Sequence, residues 1–177
     1  MGSANKSECS CLSIDSHCFP EEFAKQFSSF YVLLEDLLVR EGSPRKLPEC
    51  GRNIKVIDVD KWEIEKARKE RRCLHSTMDF ASLLDNKKIL LVDAKFRVET
   101  NELNSKFMQD VKAKLAYSKP LFYVYAPVHG DVILLFQTMK VEQCRNRIRR
   151  LMNNKSEFEV MDVFQFYRNY IEKAANN

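Results

Sequence analysis

Residues 78–97 read MDFASLLDNKKILLVDAKFR, and this stretch decides which fold the chain can adopt. Two runs of β-prone residues, MDFASLL and ILLVDAKFRV, flank the polar segment DNKK at residues 85–88. Two such runs joined by a short polar turn predict a β-hairpin. The second run is almost wholly apolar until it reaches Asp93, so it is expected to be a buried strand with an acidic residue at its end.

Three charged residues mark the open end of this hairpin. Asp93 and Lys95 are two residues apart, so they project from the same face of a strand. Pairing of the two strands would bring Asp79 alongside Asp93 and place two carboxylates close together. Close carboxylates repel each other, and a divalent cation relieves that repulsion. Lys95 would then supply a positive charge beside a phosphate or water bound at the metal.

The order and spacing of these residues resemble the PD-(D/E)xK nuclease superfamily. That family has an acidic residue at the start of one hairpin strand, followed by an apolar strand that ends in (D/E)-x-K. Here Asp79 and the triplet Asp93-Ala94-Lys95 match the two halves, although Met78 stands where the pattern often has proline. The resemblance implies an α/β protein of the restriction-endonuclease-like fold, with a mixed central β-sheet flanked by helices. It also implies Mg²⁺- or Mn²⁺-dependent hydrolysis of phosphodiester bonds in DNA, with Lys95, Asp93 and Asp79 as the catalytic residues.

The resemblance also directs attention to two helices. Family members often carry a glutamate on a helix that precedes the sheet, and here Glu35 is the first choice and Glu41 the second. The expected metal ligands are therefore Asp79, Asp93 and Glu35. The helix after the (D/E)-x-K strand often carries a polar residue that faces the site. The candidates there are Gln109, Lys112 and Lys114.

The remaining periodicities predict one α/β domain over residues 20–177, preceded by a flexible polar segment at 1–19. Apolar residues at helical spacing predict a helix over residues 20–41, ended by Gly42. The other expected elements are a strand at 54–59, a helix at 62–72, a helix at 102–116 that Pro120 ends, strands at 121–127 and 132–138, and helices at 141–152 and 161–174.

Composition limits the classes of function. The chain has 177 residues and a formal net charge of +4, which does not by itself demand a nucleic-acid partner. Two basic clusters, residues 66–72 and 145–150, are interpreted first as solvated helix faces, and the second cluster could also contact the DNA backbone. No apolar stretch reaches the length of a membrane span or a secretory signal, so we expect a cytoplasmic protein. No Gly-rich phosphate loop is present, which argues against an NTPase.

Several alternatives stay open from the sequence. The nuclease fold could serve as a catalytically silent binding or assembly module, or the hairpin resemblance could be accidental in a general interaction protein. A homodimer is one arrangement that would supply two centres for cutting both DNA strands. His75 and His129 are more simply explained as loop residues. Cys9, Cys11 and Cys18 lack the spaced ligand pairs of common zinc sites.

Overall fold

A computed structural model describes residues 21–44, 46–84, 86–153 and 157–172. The segment 1–19 and its cysteines Cys9, Cys11 and Cys18 lie outside these ranges. The described residues form a mixed α/β architecture with one six-stranded sheet and helices on both of its faces. The predicted fold class, a mixed central sheet flanked by helices, is therefore confirmed at this level.

The described residues contain six strands and six α-helices. The strands are β1 (Tyr31–Leu33), β2 (Lys55–Asp58), β3 (Phe80–Leu83), β4 (Ile89–Ala94), β5 (Val132–Leu135) and β6 (Phe158–Met161). The helices are α1 (Glu21–Phe27), α2 (Leu34–Arg40), α3 (Val59–Glu70), α4 (Ser105–Phe122), α5 (Val141–Leu151) and α6 (Val163–Phe166), and α6 continues as a π-helical segment, Tyr167–Glu172. Short 3₁₀ turns occupy Ser28–Phe30, Glu49–Gly51, Thr100–Glu102 and Thr138–Lys140.

The strands lie in the sheet in the order in which they occur in the chain, from β1 to β6. The first four pair antiparallel with their neighbours, whereas β5 runs parallel to β4 and β6 runs parallel to β5. Parallel neighbours need a crossover connection, and α4 and α5 supply the two that are required. The sheet is thus an antiparallel meander extended by two helix-connected parallel strands.

Side-chain alternation divides the sheet into two faces. Ile89 and Leu91 of β4 pack into one apolar cluster, and Leu90 and Val92 pack into the other. Buried residues of α1, α3, α4 and α5 complete the first cluster, which we call the α4 face. Buried residues of α2 and α6 complete the second, which we call the α2 face. A strand such as β4 that is buried on both faces is expected to be apolar over most of its length, as the sequence ILLV indicates.

The predicted hairpin is confirmed, with β3 and β4 as its strands. Their register pairs Phe80 with Val92 and Leu83 with Ile89. The strand predicted at 54–59 is β2, that at 132–138 is β5, and the helices predicted at 62–72 and 141–152 are α3 and α5.

The helix predicted over residues 20–41 is wrong as a single element. It consists of α1, a 3₁₀ turn, the three-residue strand β1 and α2. Tyr31, Val32 and Leu33 pair with residues of β2, and β-branched and aromatic residues favour such a pleated surface. The apolar residues that mimic one helical stripe are divided between the two faces: Phe23, Phe27 and Phe30 pack on the α4 face, and Leu34, Leu37 and Leu38 on the α2 face.

Two further predictions, both for residues 120–127, are wrong. Pro120 does not end the helix, and the strand predicted at 121–127 does not form, since α4 continues to Phe122. Phe122 is fully buried and stacks on Phe27 with ring centroids 5.5 Å apart. This packing outweighs the local preference of proline to break a helix. The strand β6 was also missed, and its last residue, Met161, was assigned to the predicted final helix.

None of the helices within the described ranges is both long enough and apolar enough to cross a membrane. The longest of them, α4, has 18 residues and carries charged residues along its length.

The aromatic cluster under α4 yields a first prediction. Replacing Phe122→Ala removes a fully buried ring that contacts Phe27 and Trp62, at centroid distances of 5.5 and 5.8 Å. We expect the free energy of unfolding to fall by about 3–5 kcal/mol, as for other buried Phe→Ala changes. Urea denaturation measures this, and Tyr123→Ala, an exposed neighbour, is the matched control with a change within about 0.5 kcal/mol. Equal losses in both variants would contradict this account of the core.

Candidate functional site

The register of the hairpin brings Asp79 and Asp93 together. Phe80 pairs with Val92, so one further step along the antiparallel ladder places Asp79 opposite Asp93. By alternation both side chains belong to the α4 face. Asp79 lies just before β3, and its Oδ2 accepts a hydrogen bond from the backbone N–H of Ala94 at 2.6 Å. Asp93 is completely buried and Asp79 is 5% exposed.

Lys114 of α4 lies between the two carboxylates. Its Nζ donates to Oδ1 of Asp93 at 2.9 Å and to Oδ1 of Asp79 at 3.3 Å. The two carboxylates therefore converge on one cationic group. α4 begins after Asn104, whose side chain caps it by accepting from the N–H of Phe107, and its buried residues include Val111 and Leu115. Lys114 lies on the same side of the helix as these residues and extends from it to the end of the sheet.

Lys95 provides the second cation. Its Nζ is 2.6 Å from Oδ2 of Asp93, and its side chain is 13% exposed. The backbone N–H of Lys95 donates to the carbonyl of Leu135 at 2.7 Å, which fixes the residue beyond the end of β4. Although Nζ of Lys95 and Oδ2 of Asp93 are close, the angles between them are not those of a hydrogen bond. Among the described residues Oδ2 of Asp93 has no hydrogen-bond donor.

The electrostatics of the site follow from burial and from the two neighbouring acids. Burial, and then the charge of Asp93, raises the pKa of Asp79 to about 7, against the opposing effects of Lys114 and Lys95. Burial alone would lower the pKa of Lys114, but the charges of Asp93 and Asp79 outweigh it and the pKa of Lys114 is raised. The cluster thus contains an acid that changes its protonation near neutral pH beside a lysine that stays charged.

Two further acids lie near this end of the sheet, and sequence reasoning missed both. Asp60, in the first turn of α3, accepts a hydrogen bond from the Thr77 hydroxyl at 2.6 Å, and its charge contributes to the raised pKa of Lys114. Burial raises the pKa of Asp60 itself. Asp58 is buried at the end of β2, caps α3 and pairs with Arg40 at 2.5 Å. The available signal was Asp58-Val59-Asp60, a second pair of acids directly after an apolar strand.

Glu35 is not part of this cluster. It lies on α2, which packs on the opposite face of the sheet from Asp93. Its Oε2 is 3.9 Å from Nε of Arg52, and the two residues line a shallow depression of about 360 Å³. Glu41, the second choice, lies closer to the acids, because its carboxylate shares Arg40 with Asp58. Its charge also contributes to the raised pKa of Asp60.

A divalent cation at this site would find two carboxylates as protein ligands. No group of three or more acidic, histidine or cysteine side chains that could hold a metal occurs in the described part of the chain. Mg²⁺, however, is usually held by one or two carboxylates and completes its coordination with waters and substrate phosphates. Asp79 and Asp93 offer two converging carboxylates, although Lys114 contacts one oxygen of each and Oδ2 of Asp93 lies 2.6 Å from Nζ of Lys95.

The other candidates lie elsewhere. Gln109 and Lys112 are exposed on α4, so Lys114 is the one of the three that contacts the acids. In the basic helix α5, Arg145 donates to the carbonyl of Val160, and Arg147 to that of Leu103. The exposed arginines of α5 that remain for other contacts are Arg149 and Arg150. His129 accepts from the N–H of Asp131, as expected for a turn residue.

Comparison with known proteins finds no match to this chain among protein-family models, curated proteins or solved structures.

The raised pKa of Asp79 predicts a specific pH dependence of stability. A group whose pKa is about 7 in the folded state and 3.8 unfolded holds its proton more tightly when folded. Between about pH 4 and pH 7 the folded state therefore binds more protons, and the free energy of unfolding falls as pH rises. We expect this decline, at most about 1.4 kcal/mol per pH unit, to be absent in Asp79→Asn.

Urea denaturation at a series of pH values compares the wild type with Asp79→Asn. Asp110→Asn, an exposed acid on α4, is the matched control and should keep the wild-type slope. Parallel pH profiles for the wild type and Asp79→Asn would show that Asp79 titrates normally.

Proposed function

We propose that the protein is a metal-dependent nuclease of the restriction-endonuclease-like fold that hydrolyses phosphodiester bonds in DNA. The observation that carries this proposal is the convergence of the Asp79 and Asp93 carboxylates on one point, with Lys95 paired to Asp93. An accidental resemblance of the hairpin would not require the two acids to meet.

The arrangement of elements around the hairpin supports the same proposal. A helix precedes the meander, the hairpin carries the acids, and the following helix contributes a polar residue to them. This is the order that the resemblance to the PD-(D/E)xK superfamily implies. The sheet then continues through a parallel strand, β5, whose Leu135 carbonyl holds the backbone of Lys95.

The residues of the centre would divide the work of hydrolysis. Asp79 and Asp93 would hold Mg²⁺ or Mn²⁺, which supplies Lewis-acid polarisation of the phosphate and lowers the pKa of a bound water. Lys95, tethered to Asp93, would orient the attacking water and stabilise negative charge that develops on the phosphoryl oxygens. Lys114 would move from the carboxylates toward the phosphate and add a second positive charge there. Hydrolysis forms a bond between the water oxygen and phosphorus and breaks the ester bond to the leaving oxygen.

Lys114 also favours a second candidate, a catalytically silent module with the same fold. Two carboxylates and two ammonium groups already neutralise one another in this cluster. A buried cluster of paired charges can specify the fold without having any catalytic role. The two candidates differ in whether a divalent cation can replace the ammonium group of Lys114.

The nuclease proposal predicts metal-dependent cleavage that needs Lys95 and Asp93. Plasmid and single-stranded DNA should be cut in the presence of Mg²⁺ or Mn²⁺ and left intact with EDTA. Lys95→Ala and Asp93→Ala should each lower the rate about 100-fold or more, since the first removes the positive charge that stabilises the transition state and the second removes a metal ligand. Gel electrophoresis of the products measures the rate.

Lys112→Ala is the matched control for the lysine variant, because Lys112 is exposed and contacts neither acid. It should cleave at the wild-type rate. Wild-type protein without activity under either metal would overturn the nuclease assignment and leave the silent module. Activity that is unchanged in both Lys95→Ala and Asp93→Ala would assign the cleavage to another part of the molecule or to a contaminant.

Metal binding can be tested apart from activity through Lys114→Ala. Without the ammonium group the two acids face each other, and we expect the variant to lose about 1–3 kcal/mol of stability at neutral pH. Mg²⁺ should raise its melting temperature more than that of the wild type, because the cation binds the folded state without displacing a lysine. Differential scanning fluorimetry measures both melting temperatures.

The controls separate specific binding from ionic strength. NaCl at matched ionic strength should not reproduce the effect of Mg²⁺, and adding Asp93→Asn to Lys114→Ala should abolish it. Equal responses of the single and double variants to Mg²⁺ would place the metal elsewhere and favour the silent module.

A further inference from the structure

A pair of stacked rings lies at the surface beside the acidic centre. The imidazole of His75 and the phenol ring of Tyr117 are nearly parallel, at an interplanar angle of 15°, with centroids 4.0 Å apart. Although His75 covers one face of the ring, Tyr117 remains 48% exposed. The pair therefore presents an aromatic surface to solvent.

Hydrogen bonds hold this half-buried histidine in place. The backbone N–H of His75 donates to Oε1 of Glu63 at 2.8 Å, and Nδ1 of its ring is 2.8 Å from the NH1 group of Arg72. An arginine only donates hydrogen bonds, so Nδ1 is the acceptor of that contact. Arg72 in turn forms a two-pronged ion pair with Glu63, which is 3% exposed. A buried carboxylate and an arginine thus fix the ring against which Tyr117 stacks.

The stacked pair is adjacent to the carboxylates through two connections. Tyr117 follows Lys114 by three residues on α4, which places it about one helical turn farther along the same side of the helix. The hydroxyl of Ser118 accepts from the backbone N–H of Met78, the residue before Asp79. The segment that carries both His75 and Asp79 is therefore attached to α4 at Ser118, the residue after Tyr117.

We propose that Tyr117, backed by His75, is a stacking platform for an unpaired base of single-stranded DNA whose backbone passes the Asp79–Asp93 centre. This inference rests on the proposed function, which it deepens by naming the form of the substrate. In an intact duplex the bases are stacked on each other, so a platform beside the centre is of use only when the strand is unpaired. Every base has a π face, so the platform selects strandedness and not sequence.

The rigidity of the pair distinguishes this role from simple packing. Tyr117 is not part of either apolar cluster, and its ring contact is with a histidine that is itself partly exposed. Fixing the supporting ring before the ligand arrives reduces the ordering entropy that binding has to overcome. Lys114, one turn away, would attract the phosphate of the same nucleotide or its neighbour.

The test measures binding in EDTA, where no cleavage occurs. Fluorescence anisotropy of a labelled oligothymidylate gives the dissociation constant for the wild type, Tyr117→Ala and Tyr117→Phe. Tyr117→Ala should weaken binding about 5- to 150-fold, the range for loss of one base–aromatic stack, and Tyr117→Phe should bind as the wild type does. Tyr123→Ala, which removes an exposed tyrosine directly after the last residue of α4, is the matched control and should have no effect.

A base analogue reports stacking directly. An oligonucleotide with 2-aminopurine should lose fluorescence on binding the wild type and Tyr117→Phe, and should lose less on binding Tyr117→Ala. A blunt duplex of the same length should bind the wild type and Tyr117→Ala equally. Wild-type protein that does not bind the single strand, or equal affinities for the wild type and Tyr117→Ala, would overturn the platform.

These outcomes are separable from failure of the nuclease proposal. Binding that depends on Tyr117 without any metal-dependent cleavage would support the platform and contradict the nuclease proposal. Cleavage that depends on Lys95, together with binding that does not depend on Tyr117, would support the nuclease proposal and contradict the platform.

Discussion

Two buried carboxylates at the open end of the hairpin have to be neutralised, and much of the structure around them follows from that requirement. Asp93 is fully buried, and burying a charge is unfavourable unless a partner compensates it. Lys95 comes from the same strand, whereas Lys114 has to be delivered by α4. The crossover helix between β4 and β5 is therefore fixed both by its apolar side and by an ion pair at the sheet's end. The register of the hairpin has the same dependence, because a shift of one residue would turn Asp93 to the opposite face.

The hairpin was predictable because its signals are local. Period-two spacing puts Asp93 and Lys95 on one face, and a short polar turn brings Asp79 back beside Asp93. The contacts of Lys114 and Asp60 were not predictable in the same way. Three lysine and glutamine positions of α4 were equal candidates, and only the packing of Val111 and Leu115 selects the side of the helix that meets the sheet. Asp60 enters through α3, whose position depends on pairing between β2 and β3.

The misplacement of Glu35 has the same physical origin. One helix over residues 20–41 would have carried a single apolar stripe, with Glu35 beside it. The strand β1 divides that stripe, so the phenylalanines pack on the α4 face and the leucines on the α2 face. Glu35 accordingly pairs with Arg52, while the end of α2 brings Arg40 and Glu41 to Asp58. A pattern of apolar residues can fit either one helix or two shorter elements. Pairing with a distant strand then determines which of them forms, and the local sequence does not show that pairing.

If the proposed metal binds here, three kinds of cation would compete for the oxygens of Asp79 and Asp93. A proton binds Asp79 with a pKa of about 7, the ammonium group of Lys114 contacts one oxygen of each acid, and a divalent metal would need the same oxygens. Any metal bound there has to displace the ammonium group of Lys114. Near neutral pH it also has to displace the proton from those molecules in which Asp79 is protonated. A phosphate arriving with the metal would assist the exchange, because it offers Lys114 an alternative anion at short range. Under the nuclease proposal, metal and substrate binding would then be coupled through one side chain, and the centre would assemble fully only when both are present.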